Sequence, residues 1–575
     1  MISKQIYNIL HTKEKVSIFF LLILSFLNII VETLTIGSVI PLITALINFD
    51  QIENNHFVIL FTEYFFKEVS KKNFLVLIAY SIIALITIKV IAEIYIVNFK
   101  TKIQNNLVVY FQKNLLKKFL NENWRYHLKN DSSKLIRQLT HEIGHIVGKI
   151  IIPIIEIIVD IGLTISFFIL LTLYDYKISI IVFLLIVSTL AILNYFTKSQ
   201  VKKISNKRYF ISLISFKIIS EIFIILKDII ISSTADPKIN KYITLVKKYY
   251  TYERLINIYN ILPKMLFEFL TILIICLGII FYSKSFNDYS LLLTSLSLYM
   301  AAAVKMIPSS SRIARNLQYI QVGKPIFKSQ EQNLIDIKKG FFEDKKKDLV
   351  SINQNIELKN INFSFKKDET LLENINLKLN KNELIAITGE SGDGKTTLAN
   401  IIMGIIKPNY GEIRIDGNKI DFFSEKIKLN IGYVDQTSKL IDDTLKMNIT
   451  FSENLSTEQN HQYEILLKKC GLDKLEKKIN ARENKKIGED SKLISGGEKQ
   501  RISIARTVFR NPQIIIFDEP TSSLDKGNEE KIMDLIEKFK EDKIILVITH
   551  NKKYLSKFNK VYDLKNKTLF QLENI

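Results

Sequence analysis

The chain has 575 residues, 47% of them hydrophobic and 24% charged, a mixture that fits a membrane-embedded part joined to a water-facing part. Its formal charge of +21 suits nucleic acid but equally a face held against anionic lipid headgroups. The two cysteines, Cys276 and Cys470, stand far apart and exclude both a disulfide framework and a cysteine-based zinc site.

The first apolar run extends from about Val16 to Phe49 with no small-residue cleavage site after it, so a cleaved leader is not expected. Six stretches are long enough to span a bilayer, which takes about 20 apolar residues each. They lie near 16–48, 74–97, 147–173, 178–196, 261–282 and 290–313. Long helical segments rich in Lys and Arg join the second span to the third and the fourth to the fifth. The third-to-fourth link carries only Asp175 and Lys177, and the fifth-to-sixth link Lys284 and Asp288. The excess of positive charge predicts both termini and the basic segments in the cytoplasm, although Lys67, Lys71 and Lys72 in the first outer loop do not help that orientation. In the same loop Phe57, Leu60, Phe61, Tyr64 and Phe65 follow helical spacing. They read either as a helix lying in the outer interface or as one packed on the other spans.

Residues 141–145, HEIGH, match H-E-x-x-H, which sets two histidines on one helical face with a glutamate between them as the general base of a zinc peptidase. A third ligand is needed. His550 has another role below, and His11, His56, His127 and His461 sit in no downstream ligand motif. His141 and His145 are therefore read as a solvated face of the helix entering the third span, and no zinc is expected.

From about 317 to 350 the sequence turns charged (KKGFFEDKKKD). Short β-rich runs (IELKNINFSF, ELIAIT, IIIFDE, IILVIT) then alternate with helical patterns, which predicts an α/β domain with a largely parallel sheet. We place the domain boundary at 335/336. After the strand ELIAIT comes Gly389-Glu390-Ser391-Gly392-Asp393-Gly394-Lys395-Thr396, followed by Thr397 and a helical run. This is G-x-x-x-x-G-K-[ST] in the strand–loop–helix context it requires. Backbone N–H groups wrap the phosphates of a nucleotide, Lys395 reaches the β- and γ-phosphates and the Thr396 hydroxyl ligates Mg²⁺. Asp393 puts a carboxylate inside an anion cradle, and its side chain is expected to point away from the phosphates. The strand IIIFDE ends in Asp518, expected to hold Mg²⁺, and Glu519, expected to polarise the attacking water.

Between these lies LISGGEKQRISIAR (493–506), and after them SSLD (522–525) and ITH (548–550). With Gln436 in YVDQTS and Phe365 in NINFSF, this ordered set resembles that of ATP-binding cassette (ABC) exporters. Ile494, Glu498 and Phe365 stand where the family usually has Leu, Gln and Tyr. The resemblance implies a type IV exporter: an all-α membrane domain of six transmembrane helices over 1–335, then a cytoplasmic α/β P-loop ATPase domain over 336–575. It also implies a dimer in which Ser495, Gly496, Gly497 and Glu498 of one subunit close over the ATP held by the other. Phe365 would stack on adenine, Gln436 join Thr396 and Asp518 around Mg²⁺, and His550 contact the γ-phosphate. A homodimer is expected, with a heterodimer of related half-transporters as the competing arrangement.

The spans resemble those of PglK-type flippases of lipid-linked oligosaccharides, in ETLTIGSVIPLITAL (32–46), NWRYHLKN (123–130), LPKMLFEF (262–269) and KMIPSSSRI (305–313). That implies a bacterial inner-membrane protein whose cargo is a polyprenyl-pyrophosphate glycan. Lys89, Lys264, Lys305 and Arg312 align with the cavity arginines that serve the pyrophosphate. Three being Lys keeps the charge but loses the bidentate fork. The plainer alternative pairs Lys89 with Glu93 and leaves the other three snorkelling at the membrane edge. Glu156 and Asp160 could line the same cavity, with no role assigned. A lipid A, phospholipid, multidrug or peptide exporter would use the same cassette, whereas the apolar spans speak against a soluble ATPase acting on nucleic acid.

Overall fold

The structure is a computed structural model. It describes all residues except 1–7, 48, 50–58, 60, 61, 63, 65–69, 175, 233, 286–288, 339–347, 366–368, 423–426, 482–485, 489–493, 523 and 573–575. The chain forms two compact units, Met1–Glu122 with Tyr126–Glu343, and Asn123–Arg125 with Asp344–Ile575.

The first unit is helical. Its principal helices are α1 (Thr12–Gly37), α2 (Lys71–Asn121), α3 (Ile152–Tyr174), α4 (Tyr176–Ile224), α5 (Ala235–Ser285) and α6 (Tyr289–Lys338). Each of the six apolar stretches falls mainly on one of them, the first also running into the short helix Val39–Ile47 and the third beginning in the π-helical run Val147–Ile151. Among the described residues, five helices are long and apolar enough to cross a membrane. Four of the six have about 50 residues; at ~1.5 Å per residue each is about 75 Å long, more than twice a hydrocarbon core of ~30 Å. The excess length is the amphipathic, lysine-rich part that the sequence reading assigns outside the bilayer. It is held by its own core, in which Leu107, Phe111 and Leu115 of α2 pack with Ile143, Ile146, Val147 and Ile150 and with Phe327 and Leu334 of α6. A separate cluster, Ile29, Leu163, Phe167, Leu171, Ala302 and Met306, joins α1, α3 and α6. The interfacial helix expected at 56–65 lies outside the described residues, save Ile59, Thr62 and Tyr64.

The HEIGH stretch belongs to the lead-in to α3, where two π-helical runs, Gln138–Glu142 and Val147–Ile151, flank Ile143–Ile146. His141 and His145 are exposed, but Glu142 is not on their side. It is buried and receives the Gln330 amide at 2.6 Å, the Ser329 hydroxyl at 3.0 Å and the Tyr209 phenol at 3.1 Å, with Arg137 at 2.9 Å. A carboxylate saturated in this way ties three segments together and is not a free general base. The solvated-face reading therefore needs correcting: the histidines are solvated, while the glutamate is a structural anchor.

The second unit holds two main sheets. The strands are β1 (Asn355–Ser364), β2 (Thr370–Asn380), β3 (Leu384–Gly389), β4 (Tyr410–Ile415), β5 (Asn418–Ile420), β6 (Ile431–Val434), β7 (Ile514–Asp518), β8 (Ile544–Ile548), β9 (Lys560–Lys565) and β10 (Thr568–Gln571). The larger sheet has the order β10-β9-β3-β8-β7-β6 and is parallel except for the β9–β10 hairpin. Its central strands are buried at every position of β7 and β8, as continuous apolar runs require when helices cover both faces. The smaller sheet, β2-β1-β4-β5, is antiparallel, and β1 alternates buried and half-exposed residues because one face is wet. IELKNINFSF thus belongs to this second, antiparallel sheet, which the sequence reading did not separate from the parallel one. Among the helices of this unit, α7 (Lys395–Ile402), α8 (Gly496–Phe509) and α9 (Lys526–Glu537) stand nearest the motifs, and further helices span Leu445–Thr450, Thr457–Lys469 and Asp473–Asn480.

Candidate functional site

Four parallel strands end on the same side of the large sheet. Ile387 of β3, Ile548 of β8 and Asp518 of β7 lie in register, and Val434 of β6 pairs with Phe517. Gly389 closes β3, and His550, Glu519 and Gln436 lie just beyond the ends of the other three strands. Ligands of open α/β sheets bind at the carboxyl ends of the strands, so the topology brings four separate motifs to one rim.

The loop from β3 to α7 needs glycine. Gly389 has φ +144°, and a Cβ there would lie 2.4 Å from the Leu564 carbonyl oxygen. Gly394, at φ +101°, is the left-handed residue that turns the chain into α7, and a Cβ would press on Leu371 at 3.1 Å. The Lys395 ammonium bends back over this loop, donating to the carbonyls of Glu390 at 2.6 Å and Gly389 at 3.0 Å. Burial pushes it below the usual lysine range, against the pull of Asp393, Glu519, Asp518 and Asp563. The Asp393 carboxylate also folds onto the loop and accepts from the Glu390 N–H at 2.7 Å, so the charge is spent on its own backbone. Ser391, Gly392 and Thr397 complete the turn and first helical residues. Phe365 is 54% exposed and meets Phe363 edge to face at 4.9 Å, which leaves a ring face for a stacking partner.

At the end of β7, Asp518 is buried, and its Oδ2 accepts from the Thr396 hydroxyl at 3.1 Å and the Tyr433 phenol at 3.0 Å. Burial raises its carboxyl above the ordinary range, with the neighbouring Glu519 and Asp435 adding to the effect and the two hydroxyls opposing it. Tyr433 is pushed up in turn, by burial and by the same carboxylate. A hydroxyl and a carboxylate meeting at hydrogen-bond distance are hard oxygen donors of the kind Mg²⁺ takes, so Thr396 and Asp518 fit the ion. Glu519 adopts φ +46°, uncommon for a non-glycine residue, and its N–H donates to Ile548 O at 2.9 Å. Backbone strain of this kind persists where surrounding structure over-determines it. Its two carboxylate oxygens are claimed separately: the Gln436 amide donates to Oε2 at 2.5 Å, and His550 Nε2 lies 2.8 Å from Oε1.

The motif SGGE forms the start of α8. Ser495 is the N-cap in a reciprocal capping box: its hydroxyl accepts from the Glu498 N–H, and Glu498 accepts from the Ser495 N–H at 2.8 Å. Glu498, a departure from the family pattern, is what closes that box. Ser495 and Gly496 remain exposed at the positive end of a 14-residue helix, suited to a phosphate. The same helix is tied to the segment after β6. The Ser438 hydroxyl donates to Gln500 at 2.5 Å, and the Arg506 guanidinium donates to the carbonyls of Asn448 at 2.6 Å and Lys439 at 2.9 Å. Sequence reasoning missed Tyr433, Ser438 and Arg506. Their one signal was position, three residues before Gln436, two after it, and at the end of the SGGE helix.

The membrane unit holds a second, polar cavity of about 400 Å³. Lys89, Lys100, Lys305 and Arg312 line it together with Glu32, Glu93, Glu156 and Asp160. Three of the four expected cations are thus brought together, but each is partnered. Lys89 and Lys305 lie 3.1 and 2.9 Å from Glu32, and Arg312 is 2.6 Å from Asp160. Glu156 takes Lys100 at 2.8 Å, which gives both unassigned acids a partner. Lys264 is not part of this cavity. Pro263 and Phe267 form the inward face of α5, so Lys264 projects outward, 67% exposed and paired with Glu268 at 3.7 Å. An apolar cavity of about 530 Å³ lies across α6, lined by Leu185, Phe267, Ile274, Tyr299 and Met306.

Residues 372–522 match the family model described as ABC transporter. An export ATP-binding/permease protein of Rickettsia prowazekii is 36% identical over 200 residues, 34% of each chain. The glutathione/L-cysteine transport system protein CydC of Haemophilus influenzae is 32% identical over 38% of each chain. The leukotoxin translocation protein LktB of Mannheimia glucosida is 35% identical over 35% of this chain and 28% of its own. The matched stretch therefore spans about a third of these relatives' length. A bacterial Atm1-family ABC exporter solved with ATP bound superposes over 97% of this chain and 94% of its own, with a TM-score of 0.72 and 15% identity. The chain thus has the ABC exporter fold, and its second unit carries an ABC transporter domain, an ATP-binding and ATP-hydrolysing unit.

Proposed function

We propose that the chain is one half of an ATP-driven exporter that works as a homodimer in the bacterial inner membrane, with both termini in the cytoplasm. The observation that carries this reading is the convergence of Lys395, the Thr396–Asp518 pair and the doubly held Glu519 at one sheet rim, in a chain with an exporter's fold. Thr396, Asp518 and the Gln436 amide would hold Mg²⁺, which when bound neutralises charge on the β- and γ-phosphates. Lys395 and the loop N–H groups bind the phosphates, Glu519 orients water, His550 fixes Glu519, and the exposed start of α8 closes over the ATP of the partner subunit.

The cargo proposed is a polyprenyl-pyrophosphate-linked oligosaccharide. The resembling stretches and the placement of Lys89, Lys305 and Arg312 around one intramembrane cavity support it, since ionisable groups at that depth are costly and mark transport paths. The matched relatives are named for cargoes as different as glutathione and a leukotoxin, so similarity in the ATPase region does not choose between cargoes. The apolar cavity beside Phe267 and Met306 favours a second reading, an exporter of lipid A, phospholipid or hydrophobic drugs.

The test is ATP-dependent translocation of a polyprenyl-pyrophosphate oligosaccharide in proteoliposomes, wild type beside Glu519→Gln. Translocation by the wild type alone is expected. No translocation with basal ATP hydrolysis intact moves the cargo to the lipid and drug class.

A further inference from the structure

Glu32 occupies the place in the polar cavity where a cargo anion would bind. It is 8% exposed, and one of its oxygens, Oε1, stands 3.1 Å from the Lys89 ammonium and 2.9 Å from that of Lys305. The three residues come from α1, α2 and α6, so the carboxylate ties three spans together. Glu93 lies farther from Lys89, at 3.7 Å, and is more than half exposed. The whole lining has four bases and four acids, so the resting cavity is formally neutral. An anion entering it meets no uncommitted charge on these two lysines.

We propose that Glu32 is a tethered counter-anion that sets the charge threshold for cargo: a headgroup gains Lys89 and Lys305 only by out-competing one carboxylate already in place. This deepens the cargo reading above and rests on it. Cargo and carboxylate compete for the same two ammonium groups. Displacing Glu32 leaves a buried carboxylate without its two ammonium partners, a substantial electrostatic penalty. A monophosphate ester, at about −1.5 to −2 near neutral pH against the carboxylate's −1, offsets only part of that penalty. A pyrophosphate carries more charge and more acceptor oxygens, and it can span both ammonium groups. Displacement also unties α2 from α6, so arrival of the right headgroup loosens three spans at once.

The experiment measures binding of farnesyl phosphate and farnesyl pyrophosphate to the purified full chain in detergent, for wild type, Glu32→Gln and Glu32→Asp. Wild type is expected to prefer the pyrophosphate. Glu32→Gln should tighten farnesyl phosphate about tenfold, ~1.4 kcal/mol, and the pyrophosphate less, so that discrimination shrinks. Adding Lys305→Gln to that variant should abolish the gain. Glu32→Asp, one methylene shorter, should shift in the same direction by less, and it keeps the question answerable if the Gln variant does not fold. If farnesyl phosphate binds the Glu32 variants within about twofold of a wild type that does bind the pyrophosphate, the threshold idea is wrong and the cargo reading stands. If no form of the protein binds either probe at about millimolar concentration, both fall together.

Discussion

The Tyr433 phenol donates a hydrogen bond to Asp518 Oδ2 at 3.0 Å, on the same oxygen that receives the Thr396 hydroxyl. Tyr433 lies on β6 next to β7, with its ring in the core beneath the site. It holds the carboxylate in one rotamer and supports its charged form against burial. Tyr433→Phe should therefore leave the fold intact and raise the Mg²⁺ concentration needed for ATP hydrolysis about 10- to 100-fold, the value of one hydrogen bond to a charged group. The sign of the pH effect follows. Burial already holds the Asp518 carboxyl above its usual range, and Mg²⁺ needs the carboxylate. Activity should fall on the acid side, and the loss should move to higher pH in Tyr433→Phe. ATPase titrations with Mg²⁺ at several pH values measure both; identical curves for the two proteins would remove the assigned role.

Glu519 accepts from two sides at once, and a glutamine cannot. In Glu519→Gln the amide presents one oxygen, so it satisfies either Gln436 or His550 and sets an N–H₂ against the other. Hydrolysis should fall by about 10²-fold or more, the scale of losing a positioned base, while ATP binding persists through Lys395 and the loop. Single-turnover hydrolysis beside nucleotide binding separates the two effects.

Much of this site was legible because phosphate chemistry demands particular residues at fixed spacing: Gly389, Gly394, Lys395 and Thr396 announce themselves, and an apolar strand ending in Asp518 and Glu519 is nearly as distinctive. Length and apolarity alone located the helices. What the sequence hid are pairings between distant segments. Nothing local to Glu32 says that it meets Lys89 and Lys305, or that Asp160 meets Arg312, because those contacts depend on how α1, α2, α3 and α6 pack. The sequence hid the Lys264–Glu268 pair less, since the two stand one helical turn apart on an exposed face of α5, away from Lys89, Lys305 and Arg312. HEIGH fitted a five-residue pattern, yet the geometry puts its glutamate in the core and its histidines outside.

Cys470 packs in the core beneath α8 with Leu466, Leu472 and Ile502, and burial pushes its thiol up to about 12, only partly opposed by Arg501 and Lys469. The thiolate is the reactive form, so at pH 8 its population is on the order of 10⁻⁴ of the total. In a Cys276→Ser background the native protein should resist iodoacetamide at pH 8 for hours and react within minutes in denaturant. A rise in alkylation rate of about tenfold from pH 8 to 9, against about threefold for a free thiol of pKa ~8.5 and from a far lower base, would mark the folded state. Rapid native labelling would show that this part of the ATPase unit opens readily.

The Arg312–Asp160 pair decides whether an intramembrane arginine serves cargo or structure. Arg312 Nε and one terminal nitrogen both donate to Asp160 Oδ1, at 2.8 and 2.6 Å, and the Ser309 hydroxyl adds a third contact at 3.3 Å. Asp160 is 4% exposed. Removing its partner leaves the buried carboxylate only the Ser309 hydroxyl, so Arg312→Gln should destabilise the membrane unit by about 3 kcal/mol. Asp160→Asn alone leaves a half-exposed guanidinium that finds water or headgroup oxygens, and should cost less. The double variant Asp160→Asn/Arg312→Gln should regain most of the loss, a coupling of about 2 kcal/mol in a double-mutant cycle read by thermal unfolding in detergent. Cargo binding by the double variant then separates the roles. If it binds prenyl pyrophosphate as the wild type does, Arg312 is an anchor for α3 on α6, and the headgroup belongs to Lys89 and Lys305. If binding is lost although stability has returned, the arginine reaches the cargo as well as Asp160.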